Sequence, residues 1–184
     1  MFIQTEATPN PSTLKFIPGR TVLAAGTADF RGAADAQGSP LARRLFAIDG
    51  VNGVFLGYDF ISVTKGDAEW QHMRPMILGA IMEHYQSNEE GQAAGAADHD
   101  AEGSFDPADA ETVKTIKELL ESRVRPAVAQ DGGDITFSGF KDGIVYLHMR
   151  GACAGCPSST ATLRHGIEGL LRHYCPDVQS VQAV

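Results

Sequence analysis

The apolar positions of residues 1–87 switch between two spacings, and each switch marks an element. Residues 2–5 and 13–17 alternate with the two-residue period of a strand. Between them Thr8-Pro9-Asn10-Pro11-Ser12 is a turn, because its prolines and Asn resist helical geometry. Pro18-Gly19 closes the second strand, and residues 24–39, rich in Ala and Gly, predict no element. Ser39-Pro40 is a helix cap followed by a first-turn proline, with Leu41, Leu45 and Phe46 on one side of the helix it opens. Residues 51–56 and 60–65 predict a hairpin around Gly57-Tyr58-Asp59. Pro75 then opens a helix whose Ile77, Leu78, Ile81 and Tyr85 lie three or four apart.

The pattern resumes at Asp106-Pro107, an N-cap and first-turn pair, with Asp109 and Glu111 at the positive end of a helix. Val113, Ile116, Leu119, Leu120 and Val124 form its apolar stripe, which Arg125-Pro126 interrupts before a short helical piece over residues 127–129. Asp131-Gly132-Gly133-Asp134 is a structural turn needing positive φ at one or both glycines. Residues 135–140 and 144–149 are strands joined by Lys141-Asp142-Gly143, and Val145, Leu147 and Met149 share one face. A helix carrying Leu163, Ile167, Leu170, Leu171 and Tyr174 follows, ended by Cys175-Pro176, and residues 178–184 form a strand that can join the hairpin. The two patterned blocks, 1–87 and 106–184, predict two small α+β domains.

Charge separates these blocks. Seven Lys/Arg face eight Asp/Glu in residues 1–88, and eight face nine in residues 108–184. Residues 89–107 hold six acidic residues and no basic one, so most of the net charge of −8 sits there. Such a stretch buries too little apolar surface to offset its ordering entropy, and residues 88–105 are expected to form a flexible acidic linker. No basic patch suits nucleic acid, and no apolar run reaches membrane-spanning length. The opening residues carry neither a secretory h-region nor an Arg-rich transit pattern, so a reducing cytoplasm is the expected compartment. His72, His84, Trp70 and Met73 are surface or packing residues, and His99 belongs to the linker.

The chemistry concentrates in Gly151-Ala152-Cys153-Ala154-Gly155-Cys156-Pro157-Ser158-Ser159. Pro157 suits a first helical position, so the helix aims its free N–H groups and partial positive end at Cys156, which favours thiolate. Three cysteines make no disulfide framework. A zinc site wants four ligands, and no second Cys/His pair offers them; His165 and His173 are two helical turns apart. Cys175 lies ~25 Å down the helix and cannot share the site. A thiol–disulfide oxidoreductase of thioredoxin type would need a βαβ setting, whereas a β-hairpin leads into this loop. The leading reading is half of an iron–sulfur site, Cys153 and Cys156, with a second chain supplying the other two thiolates about a twofold axis, and a thiol–disulfide oxidoreductase using the same pair is the alternative. Four thiolates hold either a 2Fe–2S or a 4Fe–4S cluster. No nucleophile–base or carboxylate pair suggests catalysis, so the chain is not expected to be an enzyme.

The cysteine loop through Thr160, preceded by Arg125-Pro126 and Asp131-Gly132-Gly133-Asp134, resembles the NifU C-terminal domain. The run from Gln4 to Phe16, with residues 51–60 and Trp70, is similar to the Nfu N-terminal domain. Their order matches Nfu-type iron–sulfur carriers. The resemblance implies a carrier holding a 4Fe–4S cluster between two subunits, with Cys153 and Cys156 its ligands and no role for Cys175. It implies a homodimer on cluster binding, an upstream scaffold, and apo iron–sulfur clients such as lipoyl synthase. The first block then serves partner contacts. Lacking the leader of the mitochondrial relatives, the chain is expected to be a bacterial cytoplasmic form or a mature chain.

Overall fold

The computed structural model describes residues 1–87, 103–154 and 156–184. The chain divides into two compact units, Met1–Asp98 and His99–Val184. Both are α+β. Most of the expected linker, residues 88–102, lies outside the described residues, together with His99.

In the first unit β1 (Gln4–Ala7), β2 (Thr13–Ile17), β3 (Ala28–Phe30), β4 (Val51–Leu56) and β5 (Ile61–Lys65) form an antiparallel sheet. Its order is β1-β2-β5-β4-β3. Helices α1 (Pro40–Phe46) and α2 (Trp70–Gln86) bury Leu41, Leu45, Met73, Ile77 and Ile81 against Leu14, Phe16, Val54, Leu56, Ile61 and Val63 of the sheet. Ser39 caps α1 as expected, its Oγ accepting from Ala42 N at 3.2 Å.

Three expectations need correction here. The first strand begins at Gln4 rather than residue 2. Residues 28–30, in the stretch without a pattern, form β3, because Ala28 and Phe30 bury beside β4 in register with Leu56 and Val54. Helix α2 starts at Trp70, and Pro75 lies inside it. A proline inside a helix costs about 3 kcal/mol. Here the Met73–Ile77–Ile81 stripe continues across it with Met73 fully buried, and the Trp70 indole donates to the Pro11 carbonyl at 3.1 Å. Tertiary anchoring of the first turn thus overrides the break.

In the second unit β6 (Ser104–Phe105), β7 (Gly133–Lys141), β8 (Ile144–Gly151) and β9 (Ser180–Ala183) lie in that order. The final two residues of the expected linker, Ser104 and Phe105, are therefore strand. The β7–β8 pair is antiparallel and closes through Asp142 (φ 51°) and Gly143 (φ 77°), the doubly positive turn that matches strand twist. Both outer pairings are parallel. Helix α3 (Ala110–Leu119), α4 (Arg125–Gln130) and α5 (Pro157–Tyr174) cover one face, with Val113, Ile116, Leu120, Val128, Ile167 and Leu171 packed on Ile135, Val145 and Leu147.

Arg125-Pro126 does not interrupt the helical path as expected. A π-helical turn, Leu120–Val124, joins α3 to α4, with Arg125 N–H bonded to the Leu120 carbonyl five residues back. Pro126 has no N–H to continue the four-residue ladder, and widening by one residue absorbs the loss. A second correction bears on the cysteines. Because β9 runs parallel to β8, the segment β8–α5–β9 is a βαβ unit. The cysteine loop sits between its first strand and its helix, the setting the sequence argument took to be absent.

Candidate metal centre

The loop is assembled from two tight turns at the same end of the β7–β8 hairpin. Gly132 (φ 81°) turns the chain into β7, and Gly151 (φ 64°) turns it out of β8. Gly133 and Gly151 face each other across the strands. Ala152 N donates to the Gly132 carbonyl at 3.2 Å, and Ala154 N to the Gly151 carbonyl at 3.1 Å, which ties the turns together.

Small residues are needed here for space as well as torsion. A Cβ on Gly133 would fall 2.6 Å from Cys153 Sγ and 2.6 Å from the Arg150 carbonyl oxygen. The Cys153 side chain therefore nests against bare backbone and is buried with the core of the unit. Its carbonyl accepts from Thr160 Oγ1 at 2.9 Å, so the first turns of α5 hold the loop from above. Cys156 is half-buried and is the N-cap residue of α5, with Pro157 first in the helix. Its Sγ lies 3.5 Å from Ser158 Oγ.

The two sulfurs meet different electrostatics. Cys156 stands at the positive end of an 18-residue helix, as the position of Pro157 predicts. Burial pushes the Cys153 thiol up to about 12, and the Asp131 and Asp134 carboxylates add to the shift. Asp134 is itself buried and clamped by Arg125, whose Nε and a terminal nitrogen donate to its two oxygens at 2.9 Å each. Another Arg125 nitrogen bonds Glu121 at 2.7 Å, and both carboxylates hold the guanidinium firmly charged. Asp134 Oδ1 also accepts from Ile135 N at 2.8 Å, so this clamp fixes the start of the strand on which Cys153 rests.

The structure thus brings Cys153 and Cys156 to one loop and leaves Cys175 at the opposite end of α5, roughly 27 Å away at helical rise. His165 and His173 are exposed on that helix. Among the described residues no three His, Cys, Asp or Glu side chains gather as a metal site. Two small-residue-flanked thiols at a helix start fit half of the four-thiolate set that an iron–sulfur cluster takes. Gly133, Asp134 and Thr160 were not singled out as site residues, although the resemblance ran through all three; the glycine pair between two aspartates was the local signal for the first two.

The comparisons with known proteins agree with this organisation. Residues 3–88 match the family model described as scaffold protein Nfu/NifU N terminal, and residues 116–182 match the NifU-like domain. The chain is 50% identical to NifU-like protein 4, mitochondrial, of Arabidopsis thaliana, covering 99% of this chain and 65% of that protein. It is 48% identical to the NFU1 iron-sulfur cluster scaffold homolog, mitochondrial, of Homo sapiens, covering 100% of this chain and 72% of that one. A solution structure of a NifU-like protein from Saccharomyces cerevisiae aligns with 51% of this chain and 86% of its own at 24% identity and a TM-score of 0.45. The chain spans about two thirds of the length of the curated relatives it matches. The expected cytoplasmic location is corrected by these names: the relatives matched here are mitochondrial proteins. With both domain models matched in order and near-half identity along its whole length, the chain belongs to the Nfu family of iron–sulfur cluster scaffold proteins.

Proposed function

We propose that Cys153 and Cys156 supply two of the four thiolates of a 4Fe–4S cluster, that a second copy supplies the other two, and that the cluster is passed to apo-proteins. The observation that carries this is the division of the three cysteines, two on one loop and the third a helix length away. One copy is then short by two donors, and a twofold pair of loops completes the set. A cluster held at such a junction is open to incoming client thiolates, which replace the ligands stepwise as the copies separate. Apo-enzymes that need a 4Fe–4S cluster, lipoyl synthase among them, are the fitting recipients. The role is custody and delivery rather than catalysis. Residues 1–87, 88–103 and 104–184 divide the work as partner-contact domain, linker and cluster domain.

One rival has a specific observation behind it. The βαβ setting is the one in which thioredoxin-type cysteine pairs work. Against it, such an enzyme attacks with an accessible, acidified thiol, and the first cysteine of this pair is buried on Gly133. Anaerobic reconstitution with iron and sulfide, followed by mass measurement with the cluster retained, separates the two. The carrier gains broad visible absorption and appears as two chains with four irons. A monomer holding a full cluster overturns shared ligation; a colourless protein that turns over disulfides establishes the rival.

A further inference from the structure

We propose that the Ser158 hydroxyl makes Cys156 the ligand that a client thiolate displaces first, with Cys153 the last to let go. This deepens the proposed carrier role and rests on it. Ser158 Oγ lies 3.5 Å from Cys156 Sγ, within reach of a bond to sulfur, and either atom can donate while the cysteine is a thiol. Ligation fixes the direction. The thiolate is the form that binds metal and it carries no proton, so only the hydroxyl can then donate.

The second hydroxyl of this stretch has a different task. Thr160 Oγ1 donates to the Cys153 carbonyl at 2.9 Å. It acts on the backbone of that ligand, whereas Ser158 acts on the sulfur of the other. Ser158 is exposed in the first turn of α5, so its hydroxyl is free to turn toward Cys156 without disturbing the core.

The moment of exchange separates the two cysteines further. A ligand that leaves iron becomes a free thiolate, and the stability of that thiolate decides how readily it goes. At Cys153 the charge would be buried against the Gly133 backbone, where it is costly. At Cys156 it would be half-buried at the positive end of α5, with the Ser158 hydroxyl already on it. A hydrogen bond to a ligating sulfur also draws electron density out of the iron–sulfur bond, which weakens that bond and raises the reduction potential. The step itself is an exchange at one iron. The bond from the client sulfur forms as the bond from Cys156 breaks, the proton given up by the client thiol ends on Cys156 through water, and no electron is transferred.

The test compares the full chain with Ser158→Ala and Ser158→Thr, each loaded anaerobically with iron and sulfide. Ser158→Ala should raise the iron–cysteine stretching frequency in the resonance Raman spectrum and lower the reduction potential. It should slow transfer to a metal-free 4Fe–4S ferredoxin about fivefold, the effect of losing one hydrogen bond. Ser158→Thr, which keeps the hydroxyl, should restore all three readings. Alkylation midway through transfer should trap Cys156 ahead of Cys153. Unshifted frequency and potential in Ser158→Ala, equal transfer rates, or Cys153 trapped first overturns the proposal and leaves the carrier role standing. Failure of the unaltered chain to take up a cluster overturns both.

Discussion

Helix α5 has a Cys-Pro pair at each end: Cys156 caps its start ahead of Pro157, and Cys175 caps its finish ahead of Pro176. Both caps have extended backbone, φ −107° and −125°. Their chemistry is nevertheless opposed. Cys156 stands at the positive end of the helix on a loop of small residues, with a second thiol three positions away. Cys175 is buried at the negative end, its thiol pushed up by burial and by the Asp177 carboxylate. Thiol chemistry here follows from which end of the dipole a cysteine caps and what surrounds it, not from the dipeptide.

The largest test of that contrast is substitution. Cys153→Ser and Cys156→Ser should each abolish stable cluster retention, measured as iron per chain after anaerobic reconstitution, while Cys175→Ser retains it. Equal loss in all three would erase the distinction between the ends. A second test reads the thiols themselves. Only thiolate alkylates, so the shift of Cys153 from 9.0 to about 12 slows its reaction near neutral pH about 1000-fold relative to the unfolded chain. Mass-resolved alkylation of the metal-free protein should find Cys156 modified first. The sign for stability follows: the folded state favours the protonated thiol, so this contribution is complete below pH ~9 and is lost as pH rises toward ~12. A third test asks whether space at the loop is needed. Gly133→Ala forces its Cβ onto Cys153 Sγ and the Arg150 backbone, and should cost about 1–3 kcal/mol in urea unfolding. Gly166→Ala, on α5 with open space around it, should stabilise by about 0.5–1 kcal/mol.

Much of this molecule is written in local pattern. The α5 stripe, the Asp142-Gly143 turn and the Ser39 cap could be placed from spacing because each is decided by its own neighbours. The misses are decided at a distance. Residues 28–30 are too short for their apolar–polar–apolar order to signal a strand, and pairing with β4 makes them one. Pro75 marks a helix start by local rules, yet Met73 and Trp70, anchored from other elements, extend the helix past it. The direction of β9, and with it the βαβ setting of the cysteines, depends on the path of α5 and leaves no trace in the period of residues 178–184. At the site, the cysteine pair and its capping proline were legible. The nesting of Cys153 on Gly133 was not, since a glycine chosen for room looks in sequence like one chosen for a turn.

The segment β8–α5–β9 leaves one strand and returns beside it, like a strap buckled to its own belt. The cysteine loop is the front attachment, and four paired positions from Ile144↔Ser180 to Leu147↔Ala183 fasten the rear. On the proposed carrier role, the frame that presents the cluster need not be rebuilt as cargo is loaded and surrendered.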